Sequence, residues 1–361
     1  MSAKQPHPDQ IGAYAQSKGC RAPCQLGANS VISPARANPV PSDAGRLERA
    51  MLDPDIRRLL ETVFNAPAAS GPPDLAQLRA AAEAAPKLLG GPAEDVTSIR
   101  DLLAPARVGQ VPVRIYRPAS PGPLPLTLYA HGGGWVTGSL DSHDKLCRML
   151  AKRLRSIIVA VGYRLAPEHV YPAALDDVDA AWRWARRNAR TLGADGTRFA
   201  VGGDSSGANL VAALTLRIKQ ERTSQPDVQL LLYPAMDASC SRASYHEFSS
   251  GYNLTGAQMA WYWDTYRAGA DANEPELSPL LATELKNLPP AVVAIAAADV
   301  LRDEGLDYAR RLEADGVPVR IVECAGMIHG FLRWTGEVAA ARTWIDTIVA
   351  AGNDLMPSRQ T

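Results

Sequence analysis

The chain has 361 residues, 46% hydrophobic and 21% charged, with Lys plus Arg and Asp plus Glu equal at 38 each. This length and composition suit one large α/β domain with an insertion or cap, or two small domains. The neutral balance gives no support to binding of nucleic acid or of an anionic membrane surface. No run reaches the ~18 apolar residues that span a bilayer, and the N-terminus lacks the apolar stretch of a secretory signal, so we expect a cytoplasmic location.

The first 90 residues divide into a polar tail and an apolar, helical segment. Residues 1–44 are rich in Pro, Ser, Ala, Gly and Gln without apolar periodicity, so we expect a disordered tail. Residues 45–90 carry apolar side chains at helical spacing. The Asp53-Pro54 pair predicts a helix start, with Asp53 as N-cap and Pro54 as the first helical residue. A second helix is expected over about 74–84.

Five cysteines are scattered along the chain, at positions 20, 24, 147, 240 and 324. An odd, scattered set does not form a disulfide framework. Cys20 and Cys24 have the spacing of half a metal site, but no second pair of ligands follows, so we expect no metal site there.

From residue 111 onward, strand-like and helix-like segments alternate. The apolar, extended runs are residues 111–116, 124–130, 157–161, 198–201, 228–233, 291–296 and 319–323. The helical patterns are residues 142–154, 173–188, 206–219, 305–314 and 335–350. Such alternation predicts an α/β fold with a mostly parallel sheet covered by helices on both faces. We expect this domain to span residues 91–354, with a short tail at 355–361.

One interval, near residues 237–287, breaks the alternation. It holds no clear strand but is rich in large apolar side chains, namely Met259, Trp261, Tyr262, Trp263 and Tyr266. A helical insertion between two strands often covers an active site. A helix packed against the sheet is an equally good interpretation, and the sequence leaves both open.

Residues 203–207 read Gly-Asp-Ser-Ser-Gly, a G-x-S-x-G motif. An apolar strand precedes it, and a helix rich in Ala, Leu and Val follows it. A serine on such a sharp turn has its hydroxyl lifted clear of the sheet, and flanking glycines avoid collisions with the neighbouring strand and helix. The helix N-terminus brings positive partial charge to a developing oxyanion. The motif therefore predicts that Ser205 is a nucleophile.

Three consecutive glycines follow the apolar run 124–130, in the sequence His-Gly-Gly-Gly-Trp of residues 131–135. Glycines leave backbone N–H groups free to approach a ligand. In a hydrolase with a nucleophile elbow, this position contributes to the oxyanion hole. The alternative, a tight loop with no role, is disfavoured by the elbow downstream.

A nucleophilic serine needs a base and an acid that orients the base, in the chain order Ser, Asp or Glu, His. Asp299 follows the apolar run that ends near residue 298, and His329 lies in the loop after the run 319–323. The carboxyl ends of parallel strands gather at one edge of the sheet. Asp299 and His329 are therefore the predicted orienting acid and general base.

The other acids and imidazoles have simpler interpretations. Asp303 and Glu304 stand at the start of a predicted helix, where capping and the helix dipole account for them. Four histidines lie at positions that precede the elbow, begin a helix or follow no strand, so we expect structural roles for them: His131, His143, His169 and His246.

These motifs together resemble those of the hormone-sensitive-lipase family of α/β-hydrolases, in particular its bacterial esterases. Residues 131–135 match the family's HGGG signature, residues 203–207 resemble its GDSAG elbow with Ser206 in place of Ala, and residues 163–169 resemble its YRLAPEH segment. The further matches are residues 233–234, 278–280, 299–305 and 328–331. The likeness runs from about residue 52 to residue 350.

The resemblance implies an α/β-hydrolase fold in which Ser205, Asp299 and His329 form a triad. It implies a helical cap built from residues 45–90 together with the insertion at 237–287. The family's HGGG and GDSAG positions imply an oxyanion hole, with the residues Gly132, Gly133 and Ser206. Glu168 is implied to support the loops around the site.

The sequence departs from the family pattern at three positions. Val300 stands where proline is common after the aspartate, and Cys324 and Ala325 replace a usual Tyr-Pro pair before the histidine loop. None of these changes removes a reacting atom, so the departures concern loop rigidity and the pocket.

The predicted activity is that of a serine carboxylesterase acting on short- to medium-chain acyl esters through an acyl-enzyme. Trp135 directly follows the oxyanion glycines, so we expect its ring to limit the acyl pocket. Amidase, deacetylase and acyltransferase activities with the same triad remain alternatives, as does a ligand receptor on a dead scaffold, which His329 disfavours. We expect a small-molecule ester as partner and no metal or organic cofactor; a homodimer remains open.

Overall fold

The computed structural model describes residues 52–64 and 74–358. The predictions for residues 1–44, including the polar tail and the interpretation of Cys20 and Cys24, lie outside the described residues. The same holds for the last three residues of the expected C-terminal tail.

Eight strands form one sheet: β1 Ser98–Pro105, β2 Gln110–Arg117, β3 Leu124–Ala130, β4 Ile157–Val161, β5 Ala194–Asp204, β6 Val228–Leu232, β7 Ala291–Ala298 and β8 Val319–Ile328. Their order is β1-β2-β4-β3-β5-β6-β7-β8. The pairs β1/β2 and β2/β4 are antiparallel, and every other pair is parallel. The predicted α/β fold with a mostly parallel sheet is confirmed.

Nine helices accompany the sheet in the described ranges: α1 Pro54–Thr62, α2 Leu75–Leu89, α3 Asp144–Leu154, α4 Ala173–Leu192, α5 Ser206–Gln220, α6 Ser244–Glu247, α7 Gly256–Arg267, α8 Arg302–Ala314 and α9 Ala339–Leu355. Two 3₁₀ turns lie at Pro279–Leu281 and Phe331–Arg333. Asp53 caps α1 and Pro54 is its first residue, as the sequence predicts.

Helices cover the sheet on both faces. Every residue of β3, β4 and β6 is buried. Because successive side chains of a strand point to opposite faces, this complete burial requires cover on each side. Helix α4 packs against α5, and α3 packs against α9. The middle of the sheet is thus a dry core that holds the strand ends in fixed positions.

The strand β1 was not predicted from the sequence. β1 is an edge strand of the sheet, and its residues do not alternate regularly between exposed and buried positions. Strands β5 and β8 are also longer than their apolar runs, 198–201 and 319–323, indicate. Polar and small residues extend both strands, and these residues are recognised as part of a strand only from their hydrogen bonds to the neighbouring strand.

Residues 237–287 lie between β6 and β7 and contain the helices α6 and α7 but no strand. Within α7, Trp263 and Tyr266 are buried, whereas Trp261 and Tyr262 are half-buried. Helix α7 begins with a capping box in which the side chains of Thr255 and Gln258 each bond the other residue's backbone N–H. The insertion is therefore a well-defined helical element.

None of the described helices combines the length and the apolar character required to cross a membrane.

Candidate active site

Ser205 lies at the turn between β5 and α5. Its backbone has φ 56° and ψ −122°, a strained conformation that non-glycine residues rarely adopt. The turn is held by a hydrogen bond from the Ser205 N–H to the Leu232 carbonyl at 2.8 Å. A Cβ at Gly207 would lie 2.1 Å from the Ala130 oxygen, and one at Gly203 would lie 2.5 Å from Gly207. The two flanking glycines are therefore required by space.

The structure brings together the three side chains that the sequence singles out. His329 Nε2 lies 2.9 Å from Ser205 Oγ, and His329 Nδ1 lies 2.7 Å from Asp299 Oδ2. The other oxygen of Asp299 accepts the Leu301 N–H at 3.0 Å. All three side chains are buried, at 7%, 8% and 2% exposure for Ser205, His329 and Asp299. Each follows or ends a parallel strand, which explains why chain order predicted the set.

Asp303 and Glu304 lie in the first turn of α8, the position expected for them, but the expectation that they cap the helix is wrong. Helix α8 has no side-chain cap. Asp303 instead accepts the Ser244 N–H at 2.8 Å, and Glu304 accepts the Met236 N–H at 2.7 Å. Glu304 is fully buried, and this burial, together with neighbouring carboxylates, raises the pKa of its carboxyl well above the ordinary value. Both acids tie α8 to the start of the insertion.

The glycine loop after β3 differs from the expected oxyanion hole at one position. The Gly132 N–H donates to Asp204 Oδ1 at 3.0 Å, so this amide is already engaged. Gly133 and Gly134, by contrast, line the pocket in front of Ser205. Within the described part of the chain, neither of these two amides has an acceptor. The assignment of Gly132 is corrected accordingly, and Gly134 is a site residue that the sequence reasoning missed.

Asp204, the second residue of the elbow motif, anchors this loop from below. Besides Gly132, its carboxylate accepts the Tyr129 hydroxyl at 2.9 Å and lies 3.3 Å from His143 Nε2. Burial opposes ionisation of Asp204, but His143, Tyr129 and the charge of Arg333 outweigh it and hold its pKa below the ordinary value. One buried carboxylate thus joins the nucleophile elbow to the glycine loop.

The histidines expected to be structural fall into two groups. His143 is buried against Asp204, and His131 is buried in a stack with the Tyr163 ring, 4.2 Å between centroids. Burial and the neighbouring His143 lower the pKa of His131 to about 3. His169 and His246 are exposed at the surface. None of the four hydrogen-bonds to Ser205.

Glu168 lies in the loop between β4 and α4 and binds Arg79 of α2 through two oxygens, at 2.8 and 2.7 Å. The same guanidinium donates to the Val136 and Ala166 carbonyls, at 3.0 and 3.1 Å. The hydrogen bonds from Arg79 lower the pKa of Glu168 to about 2. Arg79, which sequence reasoning missed, therefore connects helix α2 to the loop that follows the glycines.

A pocket of about 170 Å³ opens in front of Ser205 and His329. Its walls come from α2, from the insertion and from the glycine loop; they include Leu78, Ala81, Ala82, Leu254, Met259 and Tyr262. Both segments expected to form a cap thus contribute to the pocket. The Tyr262 ring lies directly over the glycine loop, since a Cβ at Gly134 would be 2.3 Å from it.

Trp135 does not line this pocket, against the expectation from its position in sequence. Its backbone has φ 59°, and its fully buried ring stacks on Tyr266 at 4.6 Å and packs against Trp263 at 4.2 Å. The left-handed backbone turns the side chain towards α7, behind the pocket wall. Tyr262, one residue before Trp263, is the aromatic side chain that lines the pocket in front of Ser205.

The site combines a nucleophile elbow, a histidine hydrogen-bonded to serine and aspartate, and glycine-loop amides without an acceptor in the described residues. On a mostly parallel sheet, these features define an α/β-hydrolase. A family model described as the α/β-hydrolase fold matches residues 127–333. Among the described residues, no group of three or more His, Cys, Asp or Glu side chains is arranged to hold a metal ion.

Characterised relatives and solved structures give the same assignment. The chain is 41% identical over 270 residues to the ethyl acetate hydrolase of Pseudomonas putida, covering 73% of this chain and 85% of that protein. It is 39% identical over 290 residues to the carboxylic ester hydrolase LipN of Mycobacterium tuberculosis, covering 78% and 77%. A Pyrobaculum calidifontis esterase structure matches with a TM-score of 0.78 at 35% identity, covering 84% and 98%.

The chain therefore belongs to the hormone-sensitive-lipase-like family of α/β-hydrolases, and it is a carboxylic ester hydrolase.

Proposed function

We propose that the protein is a serine carboxylesterase in which Ser205 is the nucleophile, His329 the general base and Asp299 the orienting acid. The chain of hydrogen bonds from Asp299 through His329 to Ser205, 2.7 and 2.9 Å long, is the observation that carries this proposal. Such a chain holds the imidazole with its free nitrogen towards the hydroxyl. The ester hydrolase names of the relatives favour an ester over an amide substrate.

The reaction proceeds by acyl transfer in two steps. His329 Nε2 takes the Ser205 proton as Oγ attacks the ester carbonyl, and it then passes that proton to the departing alkoxide. Water, deprotonated by His329, attacks the acyl-enzyme, and the serine leaves with the proton returned to it. Asp299 stabilises the imidazolium formed in both steps.

The oxyanion hole consists of the N–H groups of Gly133, Gly134 and Ser206. Two observations support this set: Gly133 and Gly134 line the pocket in front of Ser205, and Ser206 is the first residue of α5. The N–H groups of a first helical turn have no acceptor within the helix and favour negative charge. Removing one oxyanion donor typically costs about 10²–10³ in turnover.

Helix α2 and the insertion act as a cap over the acyl pocket. The pocket of about 170 Å³ is smaller than the ~300–1,000 Å³ that holds drug-sized ligands. Each buried methylene gains about 0.8 kcal/mol, whereas one group too many in a filled pocket costs about 1–3 kcal/mol. Activity should therefore rise with chain length at first and then fall.

The test is kcat/KM for p-nitrophenyl esters from acetate to palmitate, with the variants Ser205→Ala, Asp299→Asn and His329→Ala. The expected optimum lies at acyl chains of about two to eight carbons, and each variant should lower turnover by several orders of magnitude. Asp303→Asn is the matched control and should cost far less. A profile still rising at palmitate, or an equal loss in Asp303→Asn, would contradict the proposal.

Relative initial rates on matched ester and amide substrates separate the proposed activity from the amidase alternative. Covalent labelling of Ser205 by a fluorophosphonate probe excludes a receptor on a dead scaffold. If the folded protein takes no label, the nucleophile assignment is wrong.

A further inference from the structure

Arg333 lines the pocket beside the proposed catalytic side chains. It ends the short 3₁₀ turn Phe331–Arg333, which follows His329 and Gly330 directly. Its guanidinium lies over that glycine, because a Cβ at Gly330 would be 3.3 Å from Arg333 Nη2. The side chain therefore contributes a permanent positive charge to the wall of a small pocket that also contains Ser205.

No acid among the described residues pairs with this guanidinium. Its Nε is buried and has no hydrogen-bond acceptor within the described ranges. Four other half-buried arginines of this chain are paired with carboxylates at hydrogen-bond distance: Arg79 with Glu168, Arg164 with Asp177, Arg217 with Glu276 and Arg302 with Glu247. Others, such as Arg117 and Arg311, donate to backbone carbonyls instead. A half-buried guanidinium whose Nε is buried and has no acceptor is unusual, because the desolvation of that N–H group is not offset.

Asp204 is the sole acid among the residues lining the pocket, and it does not serve as the missing partner. Its carboxylate is 1% exposed and is already engaged by Tyr129, Gly132 and His143. The charge of Arg333 is felt there, since it helps to lower the pKa of Asp204, but no contact joins the two groups. The positive charge thus remains available to a ligand.

We propose that Arg333 binds a carboxylate carried by the substrate, so that the preferred esters are anionic. The inference rests on the proposed esterase function and names its substrate class. A planar guanidinium offers parallel N–H donors that match a carboxylate. Apolar walls from Leu78, Leu254 and Met259 exclude water and so strengthen the ion pair.

The carboxylate can belong to either half of the ester. In a monoester of a dicarboxylic acid it lies on the acyl side, and in an acylated hydroxy acid it lies on the alcohol side. Monoethyl succinate paired with ethyl butyrate tests the first arrangement, and 3-acetoxypropionate paired with propyl acetate tests the second. Alcohol or acid release at constant pH gives kcat/KM for all four.

The experiment compares the ratio of anionic to neutral kcat/KM in the full-length wild type, Arg333→Gln and Arg333→Lys. In at least one pair, Arg333→Gln should lower this ratio by about tenfold or more, the size expected for a charged hydrogen bond. Arg333→Lys keeps the positive charge but loses the parallel N–H donors of the guanidinium, so it should retain part of the preference for the anionic ester. Arg320→Gln, which removes an exposed arginine of β8, is the matched control and should leave the ratio unchanged.

A second readout is inhibition by free succinate relative to butyrate, measured with a neutral ester. Wild type should bind succinate more tightly, and added salt or Arg333→Gln should remove the difference. Ratios that stay constant across all variants in both pairs overturn the anionic-substrate proposal while leaving the esterase function intact. Equal losses on anionic and neutral esters assign Arg333 a structural role and also overturn it. A folded wild type that cleaves none of the four esters overturns both proposals.

Discussion

Replacing Glu304 with glutamine should stabilise the protein, by an amount that grows with pH. The Glu304 side chain is fully buried, and burial together with Asp237 and Asp299 raises the pKa of its carboxyl well above the ordinary value. The folded state therefore keeps a proton that the unfolded chain releases above pH ~4.3. Stability of the wild type then falls by about 1.4 kcal/mol per pH unit between the unfolded and the folded pKa.

Glutamine has nearly the same shape, and its carbonyl oxygen can accept the Met236 N–H that Glu304 now accepts at 2.7 Å. Because glutamine does not ionise, the variant's free energy of unfolding does not fall with pH in this way. Urea unfolding at pH 5.5, 6.5 and 7.5 should show the variant's free energy of unfolding rising relative to that of the wild type at each step, by at most about 3 kcal/mol over these two pH units.

Glu313→Gln, on an exposed position of the same helix, is the control, and its difference from wild type should stay flat. A Glu304→Gln difference that does not change with pH would refute the reasoning, since it would mean that the buried carboxyl is ionised in the folded protein. If the variant is less stable than the wild type at every pH but the difference narrows as pH rises, Glu304 is still protonated in the folded wild type. The loss of stability then comes from poorer packing of the glutamine side chain.

Three further outcomes follow from the packing around the site. Trp135→Ala should leave the optimal acyl length unchanged, whereas Tyr262→Ala should move it to longer chains, as measured on the p-nitrophenyl ester series. Gly134→Ala should reduce kcat sharply at unchanged fold, judged by circular dichroism, because the residue has φ 60° and its Cβ would meet the tyrosine ring. Cys147 and Cys324 should resist iodoacetamide until denaturant is added, as peptide mapping would show, because burial raises their thiol pKa values, that of Cys324 to about 12.

The strand and helix pattern was predictable wherever burial is complete. The apolar runs 124–130 and 157–161 match β3 and β4 without adjustment, because a strand buried on both faces has few polar positions to obscure it. Helix α4 continues past the predicted end at residue 188 and stops at Gly193, which adopts φ 93°. A glycine in the left-handed conformation terminates a helix, so its position marks the end of the helix more accurately than the position of the last apolar residue does.

The site was predictable to the extent that chain order and strand ends define it. Ser205, Asp299 and His329 each follow an apolar run, and a parallel sheet brings such positions to one edge. Sequence could not tell which glycine amides face the nucleophile, because the answer depends on the Asp204 carboxylate, 72 residues from Gly132 along the chain. Contacts between distant segments leave no local pattern to detect.

The direction of the Trp135 side chain was missed for a different reason. Trp135 follows the glycines directly, which indicated that it lies near the pocket. Its position in the sequence does not reveal that its backbone is left-handed, with φ 59°, and this conformation sets the direction of the side chain. Arg79 was missed likewise: its partners Val136, Ala166 and Glu168 lie 57, 87 and 89 residues away. Side chains that organise a site from another segment require the folded structure.

The bridge that Arg79 makes to the Val136 carbonyl has a thermodynamic consequence for helix α2. If docking of that helix and the geometry of the adjacent glycine loop are coupled, the coupling is reciprocal. A phosphonate adduct at Ser205, which mimics the tetrahedral intermediate, should then slow hydrogen exchange of amides throughout α2, although most of them touch no ligand. Arg79→Met should weaken this protection and the adduct's stability together, and a double-mutant cycle with Glu168→Gln would measure how much of the coupling passes through their ion pair.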